Sequence, residues 1–299
     1  MSNNNIRINS DDNSFTVISV GLIGNGILCS VKIAAGIVGN SQAVVADGIH
    51  SVSDIATDIA LLVGARYWRK PPDSDHPYGH GRLEMLVTLG LALVLAGAGV
   101  GLTIRSLATL QAGENIVPGW IAAGAAFVSL VSKEIMFRWT LTRGKAINSP
   151  AIKANAWHHR SDAFTSVPAL LAVVGARLMP HWWFLDAVGA VVVAAMIFRA
   201  AWAIGGDAFQ SLMDRSASDK VIGDIQRTAC EIEGVEAVHA VRTRNVGRGW
   251  SVDLHVLVPG DLSVRRGHEI AEKVQQYLLT DHKNIIDVVV HIEPLDDAF

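Results

Sequence analysis

Two polar motifs interrupt the apolar part of this chain: Asp47-Gly-Ile-His50-Ser-Val-Ser-Asp54 and His158-His-Arg-Ser-Asp162. In each motif a histidine and an aspartate are four residues apart, which places both side chains on one face of a helix. Two such helices side by side offer two imidazoles and two carboxylates, a tetrahedral set that suits a divalent transition ion. The ion cancels the charge of the two carboxylates, which makes the group tolerable within a bilayer. The sequence therefore predicts a metal site made of His50, Asp54, His158 and Asp162.

Further polar residues extend each motif into a stripe along its helix. The first stripe also contains Asp47 and Asp58. The second contains Asn155 and Ser166. Unpaired acids that face lipid are very costly, so these faces are expected to contact protein, water or an ion. A single pair would fit a packing contact or a proton relay as well, and the repetition of the pair favours metal binding.

The composition indicates a membrane protein with a water-soluble part. Half of the 299 residues are hydrophobic, 18% are charged and the mean hydropathy is +0.33. Runs of roughly twenty apolar residues can cross a hydrocarbon core of about 30 Å at 1.5 Å per residue. We predict an α-helical membrane protein with a cytoplasmic tail at 1–14 and a transmembrane domain at 15–208. Its six spans are expected at 15–38, 43–66, 84–110, 116–138, 151–178 and 182–206.

The distribution of Lys and Arg predicts the orientation. The connections on one side of the spans contain Arg105 and Arg177, and those on the other side contain Arg66, Arg69, Lys70, Arg82, Arg138, Arg143, Lys145 and Lys153. Cytoplasmic connections of membrane proteins carry the excess of Lys and Arg. We therefore expect a multi-pass protein of the inner membrane with both termini in the cytoplasm. No basic cluster suggests binding to nucleic acid.

The region from 209 to 299 is predicted to be a separate cytoplasmic domain. Charged residues become frequent there, and the hydrophobic periods change along it. Helical periods occur near 217–232 and 264–279, and alternating runs occur near 236–245, 250–258 and 286–293. The order helix, strand, strand, helix, strand indicates a small α+β sandwich.

The connection between the second and third spans is a second candidate metal site. It reads Pro71-Pro-Asp73-Ser-Asp-His76-Pro-Tyr-Gly-His80-Gly-Arg82 and is rich in turn-forming residues. Asp73, His76 and His80 are spaced so that they can converge on one ion. A solvated loop without an ion is an equally good interpretation of this segment alone.

These motifs resemble those of the cation diffusion facilitator family, dimeric exporters of zinc and related ions, and the resemblance covers nearly the whole chain. It rests on 47–54, on the loop 76–84 with its His-Pro-Tyr-Gly-His-Gly-Arg-Leu-Glu sequence, and on 158–162. The resemblance implies that His50, Asp54, His158 and Asp162, here called the membrane quartet, form the transport site. It also implies that Asp73, His76 and His80 form a site at the cytoplasmic edge of the membrane. It also implies that Arg82 and Asp214 form a charged pair, and that the C-terminal domain has a ferredoxin-like, metallochaperone-like αββαβ fold and forms a homodimer.

The resemblance further implies a metal cluster in the cytoplasmic domain. Its candidate ligands are His239, His255, His268, His291 and Glu293. Strand alternation supports this placement, because His255 lies opposite the apolar face of its strand and His291 shares a face with Glu293. Histidines on the surface of a soluble domain are also common without any metal.

The ligand types favour Zn²⁺ as the substrate and as a possible regulatory ligand. Imidazole with carboxylate favours Zn²⁺ over Mn²⁺ and Mg²⁺, which prefer all-oxygen shells, but Fe²⁺, Co²⁺, Ni²⁺ and Cd²⁺ can use the same set. Fe²⁺, Co²⁺, Ni²⁺, Cd²⁺ or Mn²⁺ is the alternative main substrate. No phosphate-binding loop points to ATP, and a histidine must release its proton before it binds metal, so we expect secondary-active export coupled to proton influx. No organic cofactor is indicated.

Two other classes of function remain open. One is a metal-sensing or scaffold protein of the same fold that no longer transports, against which the intact membrane quartet argues. The other is an intramembrane metalloenzyme, which needs an open metal position and a general base such as Asp47 or Asp58. A closed site of four ligands opposes hydrolysis, so no enzymatic activity is expected.

Overall fold

The computed structural model describes residues 2–68, 70–113, 116–146, 150–247 and 249–295. Side chains of 2–18 and of a few helical positions, Asp58 among them, lie outside the described residues. The chain divides into two compact units: the first comprises Met1–Ala60 and Leu91–Ala203, and the second comprises Leu61–Gly90 and Ile204–Phe299. Each unit is considered by itself.

Six long helices precede the C-terminal domain. They are α1 (Ser2–Val38), α2 (Gln42–Trp68), α3 (Arg82–Ala112), α4 (Trp120–Ala146), α5 (Pro150–Leu178) and α6 (Leu185–Leu212), with a short 3₁₀ turn at Pro180–Trp182. Helix α1 thus begins well inside the segment predicted as a polar tail, and its apolar portion is Ser19–Val38.

Within the described residues, five helices are long and apolar enough to cross a membrane: Ser19–Val38, Arg82–Ala112, Trp120–Ala146, Asn155–Leu178 and Leu185–Leu212. Helix α2 is not among them, although it is 27 residues long. It carries several aspartates, which lower its hydropathy. The predicted count of six spans is therefore not confirmed.

Small side chains form the core of the first unit. Alanine predominates in the buried cluster, for example Ala43, Ala126, Ala169 and Ala190, and Ile197 fills the remaining space. Without a hydrophobic drive between helices in lipid, close packing of small residues is what holds such helices together. Large apolar side chains such as Leu93, Val94 and Trp202 point outward instead, as expected for a surface covered by lipid rather than water.

The start of α2 is held by a buried carboxylate on α6. Asp186 Oδ2 accepts a hydrogen bond from the backbone N–H of Gln42 at 2.6 Å, and Asp186 Oδ1 accepts one from the Ser41 hydroxyl at 2.6 Å. Ser41 in turn accepts a hydrogen bond from the N–H of Val44. These bonds satisfy N–H groups that a helix start leaves unpaired. The negative charge of Asp186 is also stabilised by the positive N-terminal end of the α2 dipole.

The C-terminal domain contains the predicted elements in the predicted order. They are α7 (Asp219–Cys230), β1 (Ala237–Asn245), β2 (Trp250–Val258), α8 (Val264–Asp281) and β3 (Ile285–Pro294). The sheet order is β1-β2-β3, with β1 antiparallel and β3 parallel to β2. Parallel strands need a crossover, and α8 supplies it.

One face of this sheet is buried by the helices. Val252, Leu254 and Val256 of β2 pack with Ile270 and Val274 of α8 in a single core. Because successive strand residues point to opposite faces, His255 lies on the face away from that core. The domain therefore has its own hydrophobic core and one polar sheet face.

We expect Gly189→Val to destabilise the first unit. A Cβ at Gly189 would lie 2.3 Å from the Cβ of Ala172, between α6 and α5. Overpacking of this kind costs about 1–3 kcal/mol. Thermal unfolding of the purified protein in detergent should show a lower midpoint for this variant.

The matched control is Gly97→Val, which introduces the same β-branched residue into α3 where no atom lies within 4 Å of the new Cβ. Equal unfolding midpoints for the two variants would contradict the close approach of α5 and α6.

Candidate metal centres

The two His–Asp pairs lie on α2 and α5. His50 is 8% exposed and Asp162 is 5% exposed, and the Asp54 carboxylate has an oxygen that is buried without a hydrogen bond among the described residues. His158 is half exposed, with Nδ1 3.6 Å from Oδ1 of Asp162. Asp54 lies close enough to Asp162, His50 and His158 to feel their charges. The four predicted ligands are thus neighbours.

These four side chains do not converge on one point in this conformation. Among the described residues, three ligand atoms lie within 4.8 Å of one another at two other places, in the loop and in the C-terminal domain. A carboxylate of the quartet is instead occupied by a lysine: Nζ of Lys133, on α4, lies 2.8 Å from Oδ2 of Asp162. Helices α4 and α5 pack along each other and bring the two together.

A second buried lysine neutralises Asp47, one of the further polar residues on the stripes that contain the His–Asp pairs. Nζ of Lys32, on α1, lies 2.9 Å from Oδ2 of Asp47 and donates to the hydroxyls of Ser51 and Ser166. The polar stripe on α2 therefore contacts protein, as expected, through the ion pair between Asp47 and Lys32. Of the other residues on these stripes, Asn155 is half-buried, and the Asp58 side chain lies outside the described residues.

Sequence reasoning missed both lysines. Lys32 and Lys133 are each 1% exposed and stand within the apolar parts of their helices. An isolated cation inside an apolar span is itself a signal, because an ionisable group at that depth is almost always paired. Its partner, however, lies on another helix and does not follow from spacing along the chain.

The three candidate residues of the loop, Asp73, His76 and His80, lie close together. The Asp73 carboxylate lies 3.5 Å from Nδ1 of His76 and 3.5 Å from Nε2 of His80, and the two rings are 4.4 Å apart. The backbone N–H groups of His76 and Asp75 donate to Asp73 Oδ1. The hydrogen bond from His76 lowers the pKa of the Asp73 carboxyl, so this ligand is ionised and available to a cation.

The residues after the loop site pack against the turn between β1 and β2. A Cβ at Gly81 would overlap the carbonyl oxygen of Val246, so no other residue fits at this backbone approach. Arg244 lies over the Tyr78 ring at 5.2 Å. Arg82 and Asp214 form the ion pair that the family resemblance implied.

The cytoplasmic cluster is centred on Glu293. Its carboxylate oxygens lie 2.8 Å from Nε2 of His239 and 2.7 Å from Nδ1 of His255. Nε2 of His291 is 3.5 Å from the same carboxylate. The three histidines are partners in register across β1, β2 and β3, which explains why they meet. The hydrogen bond with His239 lowers the pKa of the Glu293 carboxyl.

His268 does not join this cluster, contrary to its placement among the predicted ligands. It lies on α8, which packs on the opposite face of the sheet, and its Nε2 is 3.3 Å from a Glu272 oxygen. His268 was placed among the candidate ligands by the family resemblance, and its position in the sequence does not indicate on which side of the sheet α8 packs.

Comparisons with known proteins cover both parts of the chain. Residues 18–213 match the family model described as the cation efflux transmembrane domain. Residues 217–295 match the model described as the cation efflux protein, cytoplasmic domain.

Full-length relatives agree with these matches. The chain is 32% identical over 283 residues to the manganese efflux system protein MneP of Bacillus subtilis, covering 93% of this chain and 95% of that protein. It is 35% identical over 277 residues to an uncharacterised transporter of Methanocaldococcus jannaschii, covering 92% and 96%.

Among solved structures, the nickel form of a MamM C-terminal domain is 27% identical and covers 26% of this chain and 98% of that one, with a TM-score of 0.25. The two family models together span nearly the whole chain, in the order of its membrane and cytoplasmic parts. The chain therefore belongs to the cation efflux, or cation diffusion facilitator, family of membrane transport proteins.

Proposed function

We propose that the protein exports a divalent transition metal ion, with Zn²⁺ as the first candidate, from the cytoplasm in exchange for protons. The observation that carries the proposal is the pair of His–Asp motifs on α2 and α5, with His50 and Asp162 buried and mutually close to Asp54. A four-ligand site of two imidazoles and two carboxylates binds a divalent ion without net charge.

Exchange follows from the chemistry of the histidines. An imidazole coordinates metal only after it has lost its proton, so metal and protons compete for His50 and His158. A site that opens to the cytoplasm takes up the ion, and a site that opens to the opposite, more acidic side releases it. The ligands do not converge in the present conformation, so binding of the ion requires His50, Asp54, His158 and Asp162 to move together.

The choice of Zn²⁺ rests on the two imidazoles, a softer set than the all-oxygen shells that Mn²⁺ prefers. Mn²⁺ is the second candidate, because a relative with 32% identity is a manganese efflux protein. Uptake of both ions into proteoliposomes under an imposed pH gradient separates the two candidates.

We further propose that the protein is a homodimer of the inner membrane, with six spans and with both termini in the cytoplasm. Helix α2 is the sixth span, since its acidic face looks onto Lys32 and the transport site rather than onto lipid. The loop cluster is a loading site, and the cluster of His239, His255, His291 and Glu293 is a regulatory site in the dimerising domain. A sensor without transport would bind the same ions, and flux into vesicles distinguishes it.

Removing one ligand of the membrane site should abolish transport. We expect Asp54→Ala and His158→Ala each to lower zinc flux into proteoliposomes below about a tenth of the wild-type rate, because coordination energy depends on each of the four groups. Both variants should still fold, as judged by size-exclusion chromatography in detergent.

His181→Ala is the matched control, since His181 is exposed at the 3₁₀ turn and belongs to none of the three sites. Wild-type flux in either ligand variant would disprove the transport-site assignment.

His50 should set the preference among metals. His50→Asp replaces an imidazole by a harder, charged ligand, so the ratio of manganese or cadmium flux to zinc flux should rise several-fold. The measurement is parallel flux of the three ions in one vesicle preparation. A ratio equal to that of the wild type would place the selectivity outside this residue.

The cytoplasmic cluster should stabilise its domain when it binds metal. A ligand at about 100 times its dissociation constant adds about 2.7 kcal/mol to the free energy of unfolding. The isolated segment 209–299, which has its own core, should therefore melt at a higher temperature with micromolar zinc, and His255→Ala together with His291→Ala should remove the gain.

His268→Ala provides the control, because His268 lies on the helix side of the sheet and should leave the zinc effect intact. If zinc does not shift the melting curve of the unaltered segment, the cluster is an ordinary set of surface residues.

A further inference from the structure

Lys133 is a buried cation at the proposed transport site. Its Nζ lies 2.8 Å from Oδ2 of Asp162, and Asp162 is the one hydrogen-bond acceptor of that ammonium within the described part of the chain. Lys133 is also close enough to Asp54 for the two charges to interact. The ammonium therefore lies beside one of the two carboxylates that the proposed function assigns to the metal, and its charge acts on the other.

The other buried lysine has a different environment. Lys32 has three oxygen partners, on Asp47, Ser51 and Ser166, which match the three hydrogens of its ammonium and join α1 to α2 and α5. None of these partners is a proposed transport ligand. All three ammonium hydrogens of Lys32 thus have partners that join helices. Among the described residues, Lys133 contacts one oxygen, Oδ2 of Asp162, which the proposed metal would need.

The charges on the site differ between its empty and loaded states. Without Lys133, the empty site carries two negative charges in an apolar surrounding, and the loaded site is neutral. With the Lys133 ammonium, the empty site carries one negative charge and the loaded site one positive charge. Lys133 thus lowers the electrostatic cost of the empty site and opposes the binding of the ion.

A place for the displaced ammonium exists on its own helix. Ser129 lies one turn before Lys133, and its hydroxyl is buried without a hydrogen-bond partner among the described residues. Side chains on a helix lean toward its N-terminus, so the lysine side chain extends toward this hydroxyl. Ser129 is therefore the candidate acceptor, on the same face of α4, for an ammonium that leaves Asp162.

We propose that Lys133 is a built-in counter-cation of the transport site: its ammonium occupies Asp162 while the site is empty and is displaced when the divalent ion binds. The inference rests on the proposed function and makes Lys133 a positioning residue. It keeps the affinity for metal low enough for release and allows the empty site to return across the apolar core.

The test measures zinc binding to the full-length protein in detergent, by competition with a chelating dye. The site-specific signal is the difference between each variant and the same variant that also carries Asp54→Ala. Lys133→Gln and Lys133→Met should bind zinc in the Asp54-dependent site at least tenfold more tightly than the wild type. In proteoliposomes both should show a lower KM and a lower maximal flux.

Lys133→Arg is the matched control, because it retains the positive charge and can hold the carboxylate with two hydrogen bonds. Its zinc affinity should equal that of the wild type or be weaker. Unchanged or weaker binding in folded Lys133→Gln would overturn the inference. Failure of both neutral variants to fold would also overturn it, in favour of a purely structural pair.

The wild type separates this outcome from a failure of the proposed function. Asp54-dependent zinc binding in the wild type, with no effect of Lys133→Gln, refutes the role of Lys133 alone. A wild type without Asp54-dependent binding of zinc or manganese refutes the transport site, and the counter-cation with it.

Discussion

The cost of placing charge in an apolar surrounding governs the membrane part of this protein. Three buried aspartates have a partner: Lys32 for Asp47, Lys133 for Asp162, and the start of α2 for Asp186. The alanine-rich core lets helices α2 to α6 approach closely, and the two lysines pair with aspartates on neighbouring helices. The small residues of the core and the ion pairs therefore depend on each other.

Much of this arrangement could be predicted from patterns along the chain. Apolar runs located the six long helices, although α1 begins at Ser2 rather than at 15 and α4 ends at Ala146 rather than at 138. Alternation placed His255 and His291 on the polar face of the C-terminal sheet. The spacing of Asp73, His76 and His80 was enough to predict their cluster, because a short loop keeps its residues together. Periodicity succeeds where one element by itself decides which side chains share a face.

Patterns failed where two elements decide together. Lys133 adjoins Glu134 in the sequence and resembles the charged end of a span, yet α5 places Asp162 beside it. His268 lies on a helix, and a helix can pack on either face of a sheet, so only the packed core shows that α8 lies on the face opposite to the cluster of His239, His255 and Glu293. Oδ2 of Asp54, which is buried without a hydrogen bond among the described residues, is likewise a property of the assembled helices and of no local motif.

The attachment of α2 to Asp186 has a mechanical consequence. The hydrogen bonds at Ser41 and Gln42 fix one end of a helix whose proposed metal ligands, His50 and Asp54, lie further along it. Asp54 is about 18 Å from Gln42 at 1.5 Å per residue. A helix held at one end acts as a lever, so a tilt of about 10° about that pivot moves Asp54 by about 3 Å. This displacement exceeds a metal–ligand bond length, and a small rotation at the anchored end is sufficient to open or close coordination in the middle of the helix.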